Sequence, residues 1–245
     1  MEPSKVGESM RIVTLTAVYN EEFLLPFYLN HYRWCDAHYI LYETTTTDQS
    51  LSLLQRPNVH LVPTTSPEGI DDAEKTRALN QAYRDLEADV VLCVDADEFI
   101  HTDRAQVEQM MSASPVVIVT LCDVFRHHTE SDLDPNLPVK EQRRYGKCYN
   151  EYQKPCLART GLPEDVFWTL GHHGMHNVTP ANYGIMGSHW VNADPCFSIK
   201  RRVHDRSERL SPNNYANRYG TQHFWLNEDQ IRQKLLEHSH DPQLW

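Results

Sequence analysis

Five apolar residues, Val90-Val91-Leu92-Cys93-Val94, run directly into Asp95-Ala96-Asp97-Glu98 before Phe99 and Ile100. A continuous, β-branched run of this kind reads as a strand buried on both faces of a parallel sheet. Acids at the C-terminal end of such a strand stand where open α/β sheets bind ligands. Asp95 and Asp97 are two positions apart, so an extended backbone would point both the same way. Two oxygen donors aimed at one spot suit a hard divalent cation, Mn²⁺ or Mg²⁺, which takes waters and phosphate oxygens as its other ligands. The same short pattern also arises as solvated loop acids or helix caps, so the rest of the chain must discriminate.

The preceding residues repeat one unit: strand, polar loop, helix. Residues 10–18 form a β-branched run that ends in Tyr19-Asn20-Glu21-Glu22. Phe23, Leu24, Phe27, Tyr28, His31 and Trp34 then recur at helical spacing. Residues 38–42 read as a second strand, ending in the polar loop Glu43 to Asp48, and residues 59–62 as a third. Asp71 is placed to cap a helix reaching about Glu87. Right-handed crossovers between parallel strands bring all these loops to one edge of the sheet. Asn20 and Glu21, the segment Glu43 to Asp48, the loop around Ser66 to Gly69, and Asp95 to Glu98 are therefore expected to converge. A helix at 104–111 and a buried strand at 115–121 follow. Then come a long polar stretch, 126–152, and a helix at 229–238. With no Gly/Ser linker and no repeat, the reading is a single continuous α/β domain. Residues 1–9 form a flexible tail, 10–125 one half and 126–245 the other.

The net charge is −11 without a basic block, which argues against nucleic acid as a partner. No stretch reaches the roughly 20 apolar residues of a membrane span, although peripheral membrane contact needs none. The six cysteines have no Cys-x-x-Cys spacing. Cys93 and Cys122 fall in apolar strands, where free thiols act as small hydrophobes, and the expectation is a reducing cytoplasm without a zinc knuckle. Among the 14 histidines, His172, His173 and His176 suggest a metal cluster, but Gly171 and Gly174 oppose a helix there. His127, His128, His238 and His240 read as solvated loop and tail residues. Trp168, Trp190, Trp225 and Trp245 are either sugar-stacking platforms or core.

Four motifs in order, Ala17-Val18-Tyr19-Asn20-Glu21-Glu22, Thr46-Thr47-Asp48, Lys75-Thr76-Arg77-Ala78-Leu79-Asn80-Gln81-Ala82 and Val94-Asp95-Ala96-Asp97-Glu98-Phe99, resemble family 2 glycosyltransferases. The likeness covers roughly residues 10–125. It implies a GT-A fold, Rossmann-like, with a mostly parallel central sheet flanked by helices. It also implies a UDP- or GDP-type nucleotide-diphosphate sugar donor, a carbohydrate or other hydroxyl acceptor, and Mn²⁺ or Mg²⁺. By this resemblance Tyr19, Asn20, Glu21, Glu43, Asp48, Arg77 and Asp95 would contact the nucleotide-sugar. Asp95 and Asp97 would serve the metal, completed by His189, with His173 as second choice. Glu164-Asp165 would match the pair whose Asp deprotonates the acceptor, or else simply start a helix. Lys200-Arg201-Arg202 would hold the diphosphate. Two other readings stay open: a silent carbohydrate- or nucleotide-binding protein of the same fold, and a metal-dependent nucleotidyltransferase or hydrolase. The absence of glycine from Tyr19-Asn20-Glu21-Glu22 counts against a nucleotidyltransferase.

Overall fold

The computed structural model describes residues 9–65, 69, 71–206, 209–219 and 226–245, without the side chains of Asn150, Glu151 and Arg206. Residues 1–8 of the expected tail, Ser66 of the third loop, and Trp225 lie outside the described residues.

The strands are β1 (Ile12–Val18), β2 (Ala37–Glu43), β3 (Val59–Thr64), β4 (Val90–Cys93), β5 (Glu98–Ile100), β6 (Val116–Phe125), β7 (Gly146–Arg159) and β8 (Ala181–Asn192). The helices are α1 (Leu25–His31), α2 (Ser50–Leu53), α3 (Asp72–Asp85), α4 (Arg104–Ala113), α5 (Val139–Gln142), α6 (Pro195–Ile199), α7 (Pro212–Asn217) and α8 (Glu228–His238). All eight strands share one sheet in the order β3-β2-β1-β4-β7-β6-β8-β5. Four of the seven pairings among the described strands are parallel. The β3-β2-β1-β4 half has the strand order of a nucleotide-binding Rossmann half. The chain after residue 126 adds β7 and β8 to the same sheet, which gives the mixed α/β, Rossmann-like architecture expected of a single domain.

Residue alternation explains why the sheet is covered on both sides. Ile12, Val90 and Leu92 face one core, with Leu25, Tyr28 and Val107 of α1 and α4. Val13, Leu15, Val91 and Cys93 face the other, with Leu79 and Tyr83 of α3. Period-two side-chain direction thus turns an unbroken apolar run into a strand shared by two cores. The caps follow local rules as well. Asp71 accepts from the amides of Ala73 and Glu74, and Asp103 forms a reciprocal capping box with Gln106.

Several expectations are corrected. The strand containing Val90 stops at Cys93, and Ala96 and Asp97 form a turn before β5. Asp95 and Asp97 are therefore not two positions on one extended backbone. Cys122 is no free thiol but is disulfide-bonded to Cys148 across β6 and β7. That bond removes the argument for a reducing compartment, since disulfides persist in oxidising ones. Trp168 and Trp190 are buried core residues rather than exposed platforms. No helix among the described residues is long and apolar enough to cross a membrane.

Two stability predictions arise here. His31, His38 and His101 are held neutral mainly by burial, with values lowered from 6.5 to about 4, 4 and 3. The unfolded chain takes up these protons near pH 6.5 and the folded chain only near 4 or below. The stability contributed by these three histidines is therefore complete above about 6.5 and is lost as the pH drops toward 4, by up to about 1.4 kcal/mol per histidine per pH unit. Urea midpoints measured across this range should fall steadily; a flat profile would contradict the burial argument. The disulfide joins residues separated by 26 positions. Its reduction is expected to cost about 3.5 kcal/mol in the chain-entropy account, read as a lower melting temperature in dithiothreitol.

Candidate functional site

A cavity of about 810 Å³ opens at the C-terminal edge of β1, β2, β3 and β4. Its walls include Tyr19, Asn20, Glu21, Glu43, Arg77, Asp95, Asp97, His189 and His173. The convergence expected from parallel topology is thus found for Asn20, Glu21, Glu43, Asp95 and Asp97. Sequence reasoning left out Lys75, Asp123, Tyr149, Tyr152 and Lys154, which also line it.

The first two loops brace each other. Asn20 has a left-handed backbone (φ 50°), a conformation asparagine tolerates better than most residues. Its Oδ1 accepts from Thr47 N at 2.9 Å. Asp48 accepts from the amides of Glu22 (3.0 Å) and Ser50 (2.9 Å). Asp48, expected near the nucleotide, is instead a brace beneath the cavity and does not line it. Arg209 stacks on the Tyr19 ring at 3.7 Å. The N-terminal turn of α3 brings Lys75 and Arg77 to the same rim, with Arg77 paired to Glu74.

Two buried charge clusters lie against the floor. In the first, Asp95 pairs with Lys75 (2.6 Å), Lys154 (3.4 Å) and His172 (3.4 Å), while Lys154 also contacts Glu98. Burial alone would raise the Asp95 pKa, but Lys75, His172 and Lys154 outweigh it and hold it well below the usual carboxylate range. Glu98, fully buried, is likewise lowered, to about 2, with Lys154 as the dominant counter to burial. In the second cluster, Asp97 meets Arg201 Nη1 at 3.1 Å and His189 Nε2 at 3.5 Å. Arg201 Nη2 reaches Glu21 at 2.9 Å, and His189 Nδ1 reaches Asp123 at 2.7 Å. Asp97 is held far below its ordinary value by Arg201 and His189 against burial. His189 is raised to about 10, chiefly by Asp97 and Asp123, again against burial.

The expected ligand set of Asp95, Asp97 and His189 is not drawn onto one point. Among the described residues, the carboxylate–imidazole trio whose donor atoms lie within 4.8 Å of one another is Asp95, Glu98 and His172. Lys154 Nζ already sits inside that trio, touching Glu98 and 3.3 Å from His172. An ammonium therefore fills the place a metal would need. Asp97 and His189 both line the cavity, and oxygen plus imidazole nitrogen suits a divalent ion such as Mn²⁺, provided the ion displaces the Nε2 proton of His189 and the Arg201 contact on the same Asp97 oxygen. The intervening turn accounts for the split, since it directs Asp95 toward α3 and β7 and Asp97 toward Arg201 and β8.

Glu164 and Asp165 are not at the cavity. They form a turn, with no helix, against the far end of α3, where Arg84 donates to the Glu164 carbonyl at 3.0 Å. Asp165 accepts from Asn177 at 3.1 Å. The cavity reaches along α3 only as far as Ala78, which is about 9 Å from Arg84 along the helix at 1.5 Å per residue. Of the basic run, Arg201 is buried in the cavity wall, whereas Lys200 is half exposed and pairs with Asp205. One of the missed residues did leave a trace. Asp123 is the lone charge in the otherwise apolar strand run Val116–Phe125, and a lone charge in such a strand marks a buried partner or a site; Lys154 shares Gly146–Arg159 with Lys147, Glu151 and Arg159 and had no such signal.

No protein-family profile matches the chain, and no curated protein matches it. Among solved structures, S. aureus TarS 1–349 in complex with UDP aligns at a TM-score of 0.45 and 12% identity, over 94% of this chain and 89% of that one. TarS 1–349 in another crystal structure aligns at 0.41 and 16%, over 65% and 50%. In that alignment the present chain spans about half the length of TarS 1–349. A 4-diphosphocytidyl-2C-methyl-D-erythritol synthase aligns at 0.38 and 14%, over 63% and 78%. These are similarities of fold alone.

Proposed function

We propose that this protein is a divalent-metal-dependent glycosyltransferase, moving a sugar from a UDP- or GDP-type donor to a hydroxyl acceptor. The observation that carries the reading is the Asp97–His189 pair, with Arg201 beside it, on the wall of a nucleotide-sized cavity at the C-terminal strand edge. Mn²⁺ or Mg²⁺ held by Asp97 and His189 would neutralise charge on the departing diphosphate. Asp123 fixes Nδ1 of His189 and so keeps Nε2 toward Asp97. The Arg201 guanidinium, oriented by Glu21 and Asp97, presents a rigid fork suited to phosphate oxygens. Asp95, kept ionised by Lys75, accepts from donor hydroxyls; Tyr19, Asn20, Glu21, Glu43 and Arg77 surround the nucleoside. Tyr149, Tyr152 and His173 supply the facing wall, where the acceptor enters. Glu164 and Asp165 have no part in this reading.

A thermal-shift screen of UDP, GDP and their sugar conjugates, with Mn²⁺ and with EDTA, tests it. A ligand at a hundred times its dissociation constant is expected to stabilise by about 2.7 kcal/mol, and only with metal. An equal shift in EDTA would remove the metal from the proposal. No shift by any nucleotide would leave the silent binding protein as the better reading.

A further inference from the structure

Away from the cavity, three imidazoles from distant parts of the chain meet. His127 and His128 lie in the loop after β6 and His240 just after α8. One donor nitrogen of each lies within 4.8 Å of the other two. The ring centroids of His127 and His128 are 4.0 Å apart, and those of His128 and His240 are 4.7 Å apart. Tyr145 stacks against His127 at 4.0 Å. His127 Nδ1 lies 2.7 Å from Thr129 Oγ1 and accepts from Thr129 N at 3.3 Å, and His128 Nδ1 lies 3.4 Å from the Ser239 carbonyl oxygen. An outer partner on one ring nitrogen, leaving the other to face an ion, is the usual arrangement of a metal-bound imidazole.

The geometry points to a transition-metal site of the Zn²⁺ type, formed by His127, His128 and His240 with water as fourth ligand. Three imidazoles and no carboxylate favour Zn²⁺, Cu²⁺ or Ni²⁺ over Mg²⁺ and Mn²⁺, so this site differs in kind from the Asp97–His189 pair. Zinc–nitrogen bonds of about 2.1 Å in a tetrahedron bring nitrogens to about 3.4 Å of one another. The nitrogens, within 4.8 Å of one another, therefore close by at most about 1.4 Å, within reach of side-chain rotation.

Such an ion would close a clasp. Residues 239–245 run back across the start of β7. His128 N donates to the Ser239 carbonyl, Gly146 N to that of Pro242, and Leu244 N to that of Arg144, while Tyr145 and Gln243 form an antiparallel bridge. His240 lies within this segment, so the metal ties it to the loop after β6. At its far end Trp245 packs edge-on against His101.

The test is calorimetric titration of the chelator-treated full chain with Zn²⁺ alone, and separately Mg²⁺ alone. It is run on the wild type, His128→Ala, His240→Gln and Asp97→Ala, with amide exchange over 239–245 in parallel. The expected result is a Zn²⁺ site that weakens at least about tenfold in His128→Ala and in His240→Gln and persists in Asp97→Ala. Zn²⁺ should slow exchange of 239–245 in the wild type but not in the two histidine variants, and Mg²⁺ should give neither effect. Unchanged Zn²⁺ affinity in both histidine variants, or loss of the site in Asp97→Ala, overturns the proposal. Melting temperatures without metal confirm that each variant is folded.

Discussion

Asp97→Asn is expected to lower donor turnover by roughly 10²- to 10³-fold, the scale seen when one preorganised electrostatic group is lost from a reacting centre. The amide matches the carboxylate in size, so packing is kept. The negative charge facing Arg201 and His189 disappears, along with the strong metal-ligating oxygen. Arg201 keeps its pairing with Glu21 at 2.9 Å, so the buried guanidinium is not orphaned and the fold should survive. Initial rates at saturating donor and Mn²⁺, set beside the melting temperature, separate the two effects. Turnover within a few fold of the wild type would mean that Asp97 does not serve the metal.

Lys154→Met is expected to be the most destabilising single change, by about 3–5 kcal/mol. Lys154 is 2% exposed, and Glu98 beside it is 0% exposed. Removing the ammonium leaves Glu98 as a buried carboxylate with its dominant partner gone, while Asp95 retains Lys75. Adding Glu98→Gln to the same chain removes the stranded charge. The double variant should therefore be more stable than Lys154→Met alone, although it carries one more substitution. Urea unfolding of both variants decides the matter. Additive losses would mean that the two residues do not act as a pair, and that the cluster is held by packing instead.

The β3-β2-β1-β4 half was legible because its signals are local. Apolar runs with polar ends marked β1 to β4, Asp71 announced its helix, and parallel topology then dictated that Asn20, Glu43 and Asp95 share one edge. What escaped depends on contacts distant in sequence. No local pattern says that Ala96 and Asp97 turn, separating two acids that an extended strand would align. None says that Cys122 faces Cys148, that Lys154 inserts between Asp95 and Glu98, or that His240 meets His127 and His128. Glu164 and Asp165 show the opposite failure. Their place in chain order suited a catalytic pair, yet the turn that carries them packs at the end of α3 remote from the cavity. Order along the chain fixes neither direction nor distance once the parallel repeat ends, and beyond Phe125 the sheet runs mixed.

The most direct measurement is a crystal structure of the protein grown with Mn²⁺ and UDP or GDP, with data collected for manganese anomalous scattering. The account predicts an anomalous peak in coordination contact with Asp97 and His189, bridged to the nucleotide diphosphate, with Arg201 against the phosphates and Lys154 still between Asp95 and Glu98. A nucleotide bound with no manganese at Asp97, or a peak inside the Asp95–Glu98–His172 cluster with Lys154 displaced, would contradict it.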